Sequence, residues 1–229
     1  MLDCCARMIV VHHLNNSRSQ RVLWLLEELG VAYELKCYQR NPDTMLAPPE
    51  MKAVHPLGKS PIVTEDDRVL AESGAIIEHL ADRYGDGRLA RPHDSPERFR
   101  YIYWLHYAEG SAMSPLLLKL VFDRIAAARM PFFARPIVKG VRAKIMSSFI
   151  GPQLQLHLDY LEGELGRSTW FAGEDFTAAD IQMSFPLELS VSRAGLDESR
   201  PHLMEFLRRI HARPAYQRAL ERGGKYDYA

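Results

Sequence analysis

The chain has 229 residues, 47% of them apolar and 25% charged, a composition that excludes disorder over most of its length. Its 29 basic and 29 acidic residues cancel, which removes any electrostatic reason to expect nucleic acid or an anionic membrane as the main partner. Residues 1–90 carry a net charge of −3 and residues 91–229 a net +3, too small a difference to steer a large partner.

Residues 1–7 read as a loose leader, and Asp3 and Arg7 break the apolar run a secretory signal needs. Residues 8–12 (Met-Ile-Val-Val-His) read as a buried strand. After a polar stretch, Val22, Leu25, Leu26 and Leu29 recur at i, i+3, i+4 and i+7, which places them on one helix face, and Gly30 supplies the stop. Residues 31–38 read as a second strand, so the start of the chain is β-α-β with a right-handed crossover and parallel strands. Residues 39–60 are rich in proline pairs and loop-like. Residues 61–64 and 68–70 make a hairpin around Asp66-Asp67. Ser73 caps a helix whose Ile76, Ile77 and Leu80 share a face and which ends near Gly85.

These elements form a small α/β domain over residues 8–86. Gly87, Pro92, Asp94, Ser95 and Pro96 mark residues 87–97 as a linker. Residues 98–229 have helical period throughout: Tyr101, Trp104, Leu105 and Ala108 share a face, as do Leu154, Leu158, Leu161 and Leu165, and Leu203, Phe206, Leu207 and Ile210. The fold class is therefore α/β followed by an all-α domain. No run approaches ~18 uncharged apolar residues, so no membrane span is expected.

Four places offer chemistry. The loop before the first helix reads Asn15-Asn16-Ser17-Arg18-Ser19-Gln20-Arg21, and backbone N–H groups and the helix dipole favour an anion there. A hydroxyl at this point can donate to a thiolate or oxyanion; Ser17 or Ser19 can equally be a plain N-cap. At Lys59-Ser60-Pro61, a cis bond would expose the Ser60 backbone at the sheet edge for pairing with an extended peptide, the alternative being an ordinary loop proline. Glu72 and Ser73 together suit an α-amino acid head group, the one taking the ammonium and the other the carboxylate, and alone they also fit a simple cap. Thr177-Ala-Ala-Asp180 is a capping box with a structural role. Cys4, Cys5 and Cys37 are odd in number with no disulfide or metal spacing, which points to a reducing, cytoplasmic compartment. The nine histidines are scattered, no metal motif is present, and His12-His13 read as the end of a strand.

These pieces in this order resemble the cytosolic glutathione transferase family, in particular its serine-type bacterial and fungal members. The carrying residues are 17–30 (Ser-Arg-Ser-Gln-Arg-Val-Leu-Trp-Leu-Leu-Glu-Glu-Leu-Gly), 55–61 (His-Pro-Leu-Gly-Lys-Ser-Pro), 70–73 (Leu-Ala-Glu-Ser) and 177–180 (Thr-Ala-Ala-Asp). The resemblance implies a thioredoxin-like first domain, a helical second domain, a cytoplasmic homodimer and glutathione as co-substrate without a metal. It assigns Ser17 to the glutathione sulfur, with Asn16 beside it, the backbone of Ser60 before a cis Pro61 to the cysteinyl unit, Glu72 and Ser73 to the γ-glutamyl head, and Lys59 to the glycine carboxylate. Serine at 60 departs from the usual apolar residue, though backbone bonds do not depend on it. The implied reaction is thiolate attack on a hydrophobic electrophile or on a peroxide. Trp104, Tyr107, Met113, Leu116, Leu117, Met130, Phe132 and Phe133 are candidates for the wall of the second substrate site, with core or dimer contact as the alternative. Glu109 is a candidate to reach across the dimer to the glutathione ammonium.

Three competing readings remain. Glutathione-dependent disulfide or dehydroascorbate reduction asks for a cysteine where Ser17 stands. A maleylacetoacetate-type isomerase asks for a Ser-Ser-Cys loop where Asn15-Asn16-Ser17 stands. A non-catalytic binding module would share the fold, since fold does not fix function.

Overall fold

The computed structural model describes residues 8–229, so the leader and its Cys4 and Cys5 lie outside the described residues. A four-stranded sheet is built from β1 (Ile9–Leu14), β2 (Glu34–Tyr38), β3 (Ile62–Glu65) and β4 (Arg68–Ala71), in the order β2-β1-β3-β4. β1 and β2 are parallel and the other two pairs antiparallel, as the β-α-β and hairpin patterns require. Helices α1 (Ser19–Leu29), α2 (Glu50–Val54) and α3 (Ser73–Tyr84) complete this layer.

After a stretch without helix or strand, the rest is helical: α4 (Arg98–Tyr107), α5 (Met113–Ala127), α6 (Arg135–Ile145), α7 (Gly151–Leu165), α8 (Ala178–Arg193), α9 (Pro201–His211) and α10 (Pro214–Gly223). A π-helical turn at Ala108–Ala112 joins α4 to α5, and another at Met146–Ile150 joins α6 to α7. None of the described helices is long and apolar enough to cross a membrane. Each apolar face read from the helical spacing is buried, including Leu154, Leu158, Leu161 and Leu165 of α7 and Leu203, Phe206, Leu207 and Ile210 of α9.

Several boundaries differ from the sequence reading for identifiable reasons. β1 continues through His12 and His13 instead of ending there. Both rings are buried because they find partners, His12 Nδ1 with the Tyr38 hydroxyl at 3.0 Å and His13 Nδ1 with Ser19 Oγ at 2.9 Å. β2 begins at Glu34 because Gly30, in the left-handed region at φ 70°, reverses the chain first. The loop of residues 39–60 contains α2, a single turn too short to show a period.

α1 is buried well beyond its expected face, because the sheet, α3, α8 and α10 surround it. Trp24 is fully buried, edge-on to Tyr216 of α10 at 5.1 Å between centroids, and its indole N–H donates to Glu28 Oε1 at 2.8 Å. Each such side chain contributes roughly 1.5–3 kcal/mol by leaving water. Arg213 closes the contact with ion pairs to Glu28 at 2.5 and 2.9 Å. The C-terminal helix thus fixes the helix whose N-terminus carries the candidate site.

Candidate active site

The loop between β1 and α1 turns on Asn16, at φ 50°, a left-handed conformation that asparagine tolerates better than most residues. Its side-chain amide donates to Asp227 Oδ2 at 2.7 Å, and its Oδ1 accepts the Asp227 backbone N–H at 2.9 Å. Asn15 Oδ1 accepts the Arg40 backbone N–H at 2.9 Å. Both asparagine side chains therefore hold the loop in shape.

Ser17 is thereby placed at the head of α1 and is 4% exposed. Its hydroxyl lies 2.8 Å from Ser19 Oγ and 2.9 Å from Ser60 Oγ, and it accepts the Ser19 backbone N–H at 3.2 Å. The capping alternative is met only in this last bond. Arg18 occupies the N-cap position and makes no side-chain cap.

The Ser60–Pro61 bond is cis. β3 lies between β1 and β4, and its ladder begins at Ile62. Ser60 therefore stands at the open end of an interior strand, not along the lateral edge of the sheet as the sequence suggested. A cleft of about 270 Å³ opens there, lined by Arg18, Lys59, Ser60, Pro61, Glu72 and Ser73, with Glu109 on the helical side.

Glu72 and Lys59 are exposed, and neither has an ion-pair partner among the described residues. Glu72 sits at φ 69° and ψ 117°, a conformation that favours glycine and costs about 1–3 kcal/mol for other residues. It occupies the N-cap of α3, so Ser73 is the first helical residue and not the cap expected from the sequence. The Ser73 hydroxyl instead accepts from Arg21 Nη2 at 3.1 Å and Gln182 Nε2 at 3.3 Å, and donates to Glu109 Oε1 at 3.4 Å.

Glu109 sits in the π-helical turn, a distortion that recurs at functional sites. Arg18 Nε contacts both of its carboxylate oxygens at 3.0 and 2.9 Å, and Arg21 Nη2 donates to Oε1 at 2.5 Å. Burial pushes the Glu109 carboxyl up, but the two guanidiniums outweigh it and hold it below the usual carboxylate range. Arg21, 1% exposed, also donates to the Gln182 carbonyl at 2.7 Å, which ties α1 to α8. The Glu109 carboxylate is thus engaged by arginines of its own chain, where the sequence had suggested a reach across a dimer.

Of the residues read from the sequence, Lys59, Ser60, Pro61, Glu72 and Ser73 line one cleft, and Ser17 lies directly behind Ser60. Asn16 turns to Asp227 and does not line it. The proposed apolar wall is not assembled at this cleft. Tyr107 and Met113 are buried at 7% exposure, with Tyr107 bonded through its hydroxyl to His157 Nδ1 at 2.5 Å, while Leu117 is 54% exposed. Trp104 and Leu116 are core, and Phe132 and Phe133 are exposed beyond α5. Sequence reasoning gave Arg18 and Arg21 no role of their own, read Ser19 only as an alternative N-cap and read His13 as a strand end. The signal for Arg21 was its place one residue before Val22, on the buried side of α1. Among the described residues no group of His, Cys, Asp and Glu could hold a metal.

His13 is 3% exposed, and burial pushes its pKa down to about 4. The folded state thus stays neutral where the unfolded chain takes a proton near ~6.5. This contribution to stability is whole above pH ~6.5 and is lost as pH falls through about 4, a change of about 3 kcal/mol. Denaturant midpoints measured between those pH values should fall less steeply for His13→Phe than for the native sequence. Equal slopes would show that the ring is solvated.

The chain matches the family models for the glutathione S-transferase N-terminal domain over residues 17–83 and the glutathione S-transferase C-terminal domain over residues 128–214. It is 39% identical to glutathione S-transferase 3 of Schizosaccharomyces pombe, covering 94% of this chain and 88% of that one. It is 31% identical to glutathione S-transferase 1 of Saccharomyces cerevisiae, covering 94% and 95%. Among solved structures, a glutathione S-transferase from Actinobacillus pleuropneumoniae superimposes with a TM-score of 0.80 at 37% identity, over 96% of this chain and 95% of that one. The N-terminal model includes Arg18, Lys59, Ser60, Pro61, Glu72 and Ser73 of the cleft, and the yeast relatives match over 94% of the chain, so the chain belongs to the glutathione S-transferase family.

Proposed function

We propose that the chain binds glutathione in the cleft between Ser17 and Glu109, and that Ser17 holds the glutathione sulfur as a thiolate for attack on hydrophobic electrophiles or peroxides. This is the serine-type chemistry of the family, carried out by residues 8–86 against a helical wall from residues 98–229. The observation that carries the reading is the meeting of Ser17 Oγ and Ser60 Oγ at 2.9 Å at the head of α1, beside a cleft whose Lys59 and Glu72 have no ion-pair partner among the described residues.

Glutathione is zwitterionic at its γ-glutamyl end and anionic at its glycine end. Glu72 takes the ammonium, the open N-terminus of α3 beside Ser73 takes the adjoining carboxylate, and Lys59 takes the glycine carboxylate. The Ser60 backbone lies beyond the end of the β3 ladder and takes the cysteinyl unit as an added strand would. Arg18 and Arg21 hold Glu109, which keeps a fixed negative charge beside the γ-glutamyl end.

A free thiol with pKa ~8.5 is only about 3% thiolate at pH 7. Lowering that pKa by about two units makes the thiolate the major form and asks for roughly 2.7 kcal/mol. One charge-assisted hydrogen bond from Ser17, about 1.5–3 kcal/mol, with the α1 N-terminus, about 0.3–1 kcal/mol, is the right size. The chain acts in the cytoplasm as a homodimer, and exposed apolar side chains such as Leu117, Phe132 and Phe133 support the dimer.

The test is conjugation and peroxide reduction over a panel of electrophiles, with and without glutathione, alongside the variant Glu72→Ala. That variant should weaken glutathione affinity about tenfold or more, the loss of a charge-assisted contact, while saturated turnover is largely retained. A turnover defect at unchanged affinity would contradict the role of Glu72. Failure of the native chain to bind glutathione at all would favour a binding module for other ligands.

A further inference from the structure

The loop before Ser17 is held from two directions. Asn15 is gripped from the β2 side: its backbone N–H donates to the Tyr38 carbonyl at 3.2 Å, its Oδ1 accepts the Arg40 backbone N–H at 2.9 Å, and its carbonyl accepts Arg40 Nε at 3.1 Å. The carboxamide of Asn16 has a different anchor. Among the described residues it bonds only to Asp227, whose Oδ2 accepts from Nδ2 at 2.7 Å and whose backbone N–H donates to Oδ1 at 2.9 Å. This two-point fork joins residues 211 positions apart.

Asp227 is itself held in place. α10 ends where Gly223 packs so closely on α1 that a Cβ would stand 2.7 Å from Gln20 Oε1 and 2.9 Å from Leu23 Cδ1. Gly224, at φ 78° and ψ −158°, then turns the chain in a conformation that favours glycine. The residues that follow are fixed to α8. The Tyr226 hydroxyl donates to Glu188 Oε2 at 2.5 Å, Arg193 Nη2 donates to the Tyr228 hydroxyl at 3.1 Å, and the Tyr228 ring meets Phe185 edge-on at 6.0 Å. Glu188 is buried and also receives the Tyr216 hydroxyl at 2.7 Å. Lys225 Nζ pairs with Asp227 Oδ1 at 3.0 Å, which leaves Oδ2 to Asn16. Residues 224–229 thus form a strap, tied to α8 on both sides of Asp227, that reaches the loop through Asp227.

We infer that Asp227 is a positioning residue for the thiol chemistry: through Asn16 it sets where the Ser17 hydroxyl stands. This rests on the role of Ser17 proposed above and deepens it. Asn16 sits at φ 50°, a left-handed conformation with a steric cost for any residue that carries a Cβ. Ser17 is the next residue, so relaxation of Asn16 towards negative φ carries the Ser17 hydroxyl away from Ser60. The net gain from two hydrogen bonds is of the same order as the backbone cost they oppose. Without the fork, loop conformers with Ser17 displaced become populated, and only the fraction with Ser17 in place stabilises a thiolate. Asp227 does not line the cleft, and no proton moves through it.

The measurement is the pKa of enzyme-bound glutathione, followed by ultraviolet thiolate absorbance, with saturated turnover, affinity for S-methylglutathione and Tm alongside. The full chain is compared with Asp227→Ala, Asp227→Asn, Asn16→Gly, the double variant of Asp227→Ala with Asn16→Gly, and Ser17→Ala. Asp227→Ala is expected to raise the bound thiol pKa by about half a unit and to lower turnover about threefold, with affinity for S-methylglutathione, which has no thiol proton, unchanged. Asp227→Asn keeps an acceptor oxygen and the backbone N–H and should stay within about twofold of the native turnover. Asn16→Gly accepts the backbone conformation but loses both bonds, and is expected to lose about fivefold. The double variant should be no worse than Asn16→Gly, since both substitutions act through one fork. An unchanged thiol pKa and turnover in Asp227→Ala, whether or not Tm falls, or additive losses in the double variant, overturns the inference, and a raised thiol pKa in Ser17→Ala then leaves the role of Ser17 standing. If Ser17→Ala leaves the thiol pKa unchanged, the role of Ser17 fails and this inference with it. Should Asp227→Ala not fold, Asn16→Gly breaks the same fork and carries the same expectation.

Discussion

Replacing Ser17 with alanine is expected to lower glutathione-dependent turnover by well over about tenfold while weakening glutathione binding only modestly. In the proposed mode the hydroxyl is the donor that stabilises the thiolate, and a hydrogen bond to a charged group contributes about 1.5–3 kcal/mol, or roughly 10- to 150-fold in thiolate or in rate. In that mode the rest of the tripeptide is held by Lys59, Ser60, Glu72 and Ser73, which line the cleft. The remaining activity comes from the α1 N-terminus and from the bound geometry, so it should exceed the reaction in water. Steady-state kinetics over glutathione concentration checks this through the split between kcat and KM. Unchanged turnover would mean that the sulfur is activated by another group. Asn15 and Asn16 would be the next suspects, although Arg40 and Asp227 already engage their amides.

Asp180→Ala is expected to be the largest loss of stability, about 4 kcal/mol. Asp180 is fully buried, and its carboxylate accepts the backbone N–H of Phe171 at 2.8 Å, the backbone N–H of Thr177 at 2.8 Å and the Thr177 hydroxyl at 3.0 Å. Alanine strands all of these donors without water, at about 1–3 kcal/mol for each buried group left unpaired. It also breaks the reciprocal cap that starts α8, the helix whose Gln182 carbonyl receives Arg21. For a chain of this size each kcal/mol lowers Tm by roughly 2–4 °C, so a fall of about 10 °C is expected by calorimetry, with saturated turnover at low temperature near normal. Asp180→Asn, which keeps an acceptor oxygen, should lose less. A normal melt with lost activity would give Asp180 a chemical role in place of a structural one.

Much of the fold was legible because its elements signal themselves locally. Val22, Leu25, Leu26 and Leu29 marked α1, and Thr177 with Asp180 marked the start of α8. Burial on a second face was not legible, since Leu23 and Trp24 are covered by helices far along the chain. Ser17, Ser60, Glu72 and Ser73 of the candidate site sit at element ends and were picked out by turn and cap chemistry in a fixed order, although Glu72 and not Ser73 holds the N-cap of α3. The Arg21–Glu109 pair could not, because its partners are 88 residues apart and neither has a local motif. His13 looked like a strand end because an imidazole is polar. Only Ser19, arriving from the next element, makes it a buried partner. Tyr107 and Met113 show the opposite error: apolar helical spacing identifies a covered face without saying whether protein or substrate covers it.

The most direct measurement is a crystal structure of the chain with reduced glutathione. The sulfur should lie within about 3.5 Å of Ser17 Oγ, with the γ-glutamyl head at Glu72 and Ser73 and the glycine end at Lys59. A tripeptide seated in this cleft with its sulfur turned away from Ser17, or one that leaves the cleft empty at saturating concentration, would contradict thiol activation at the head of α1.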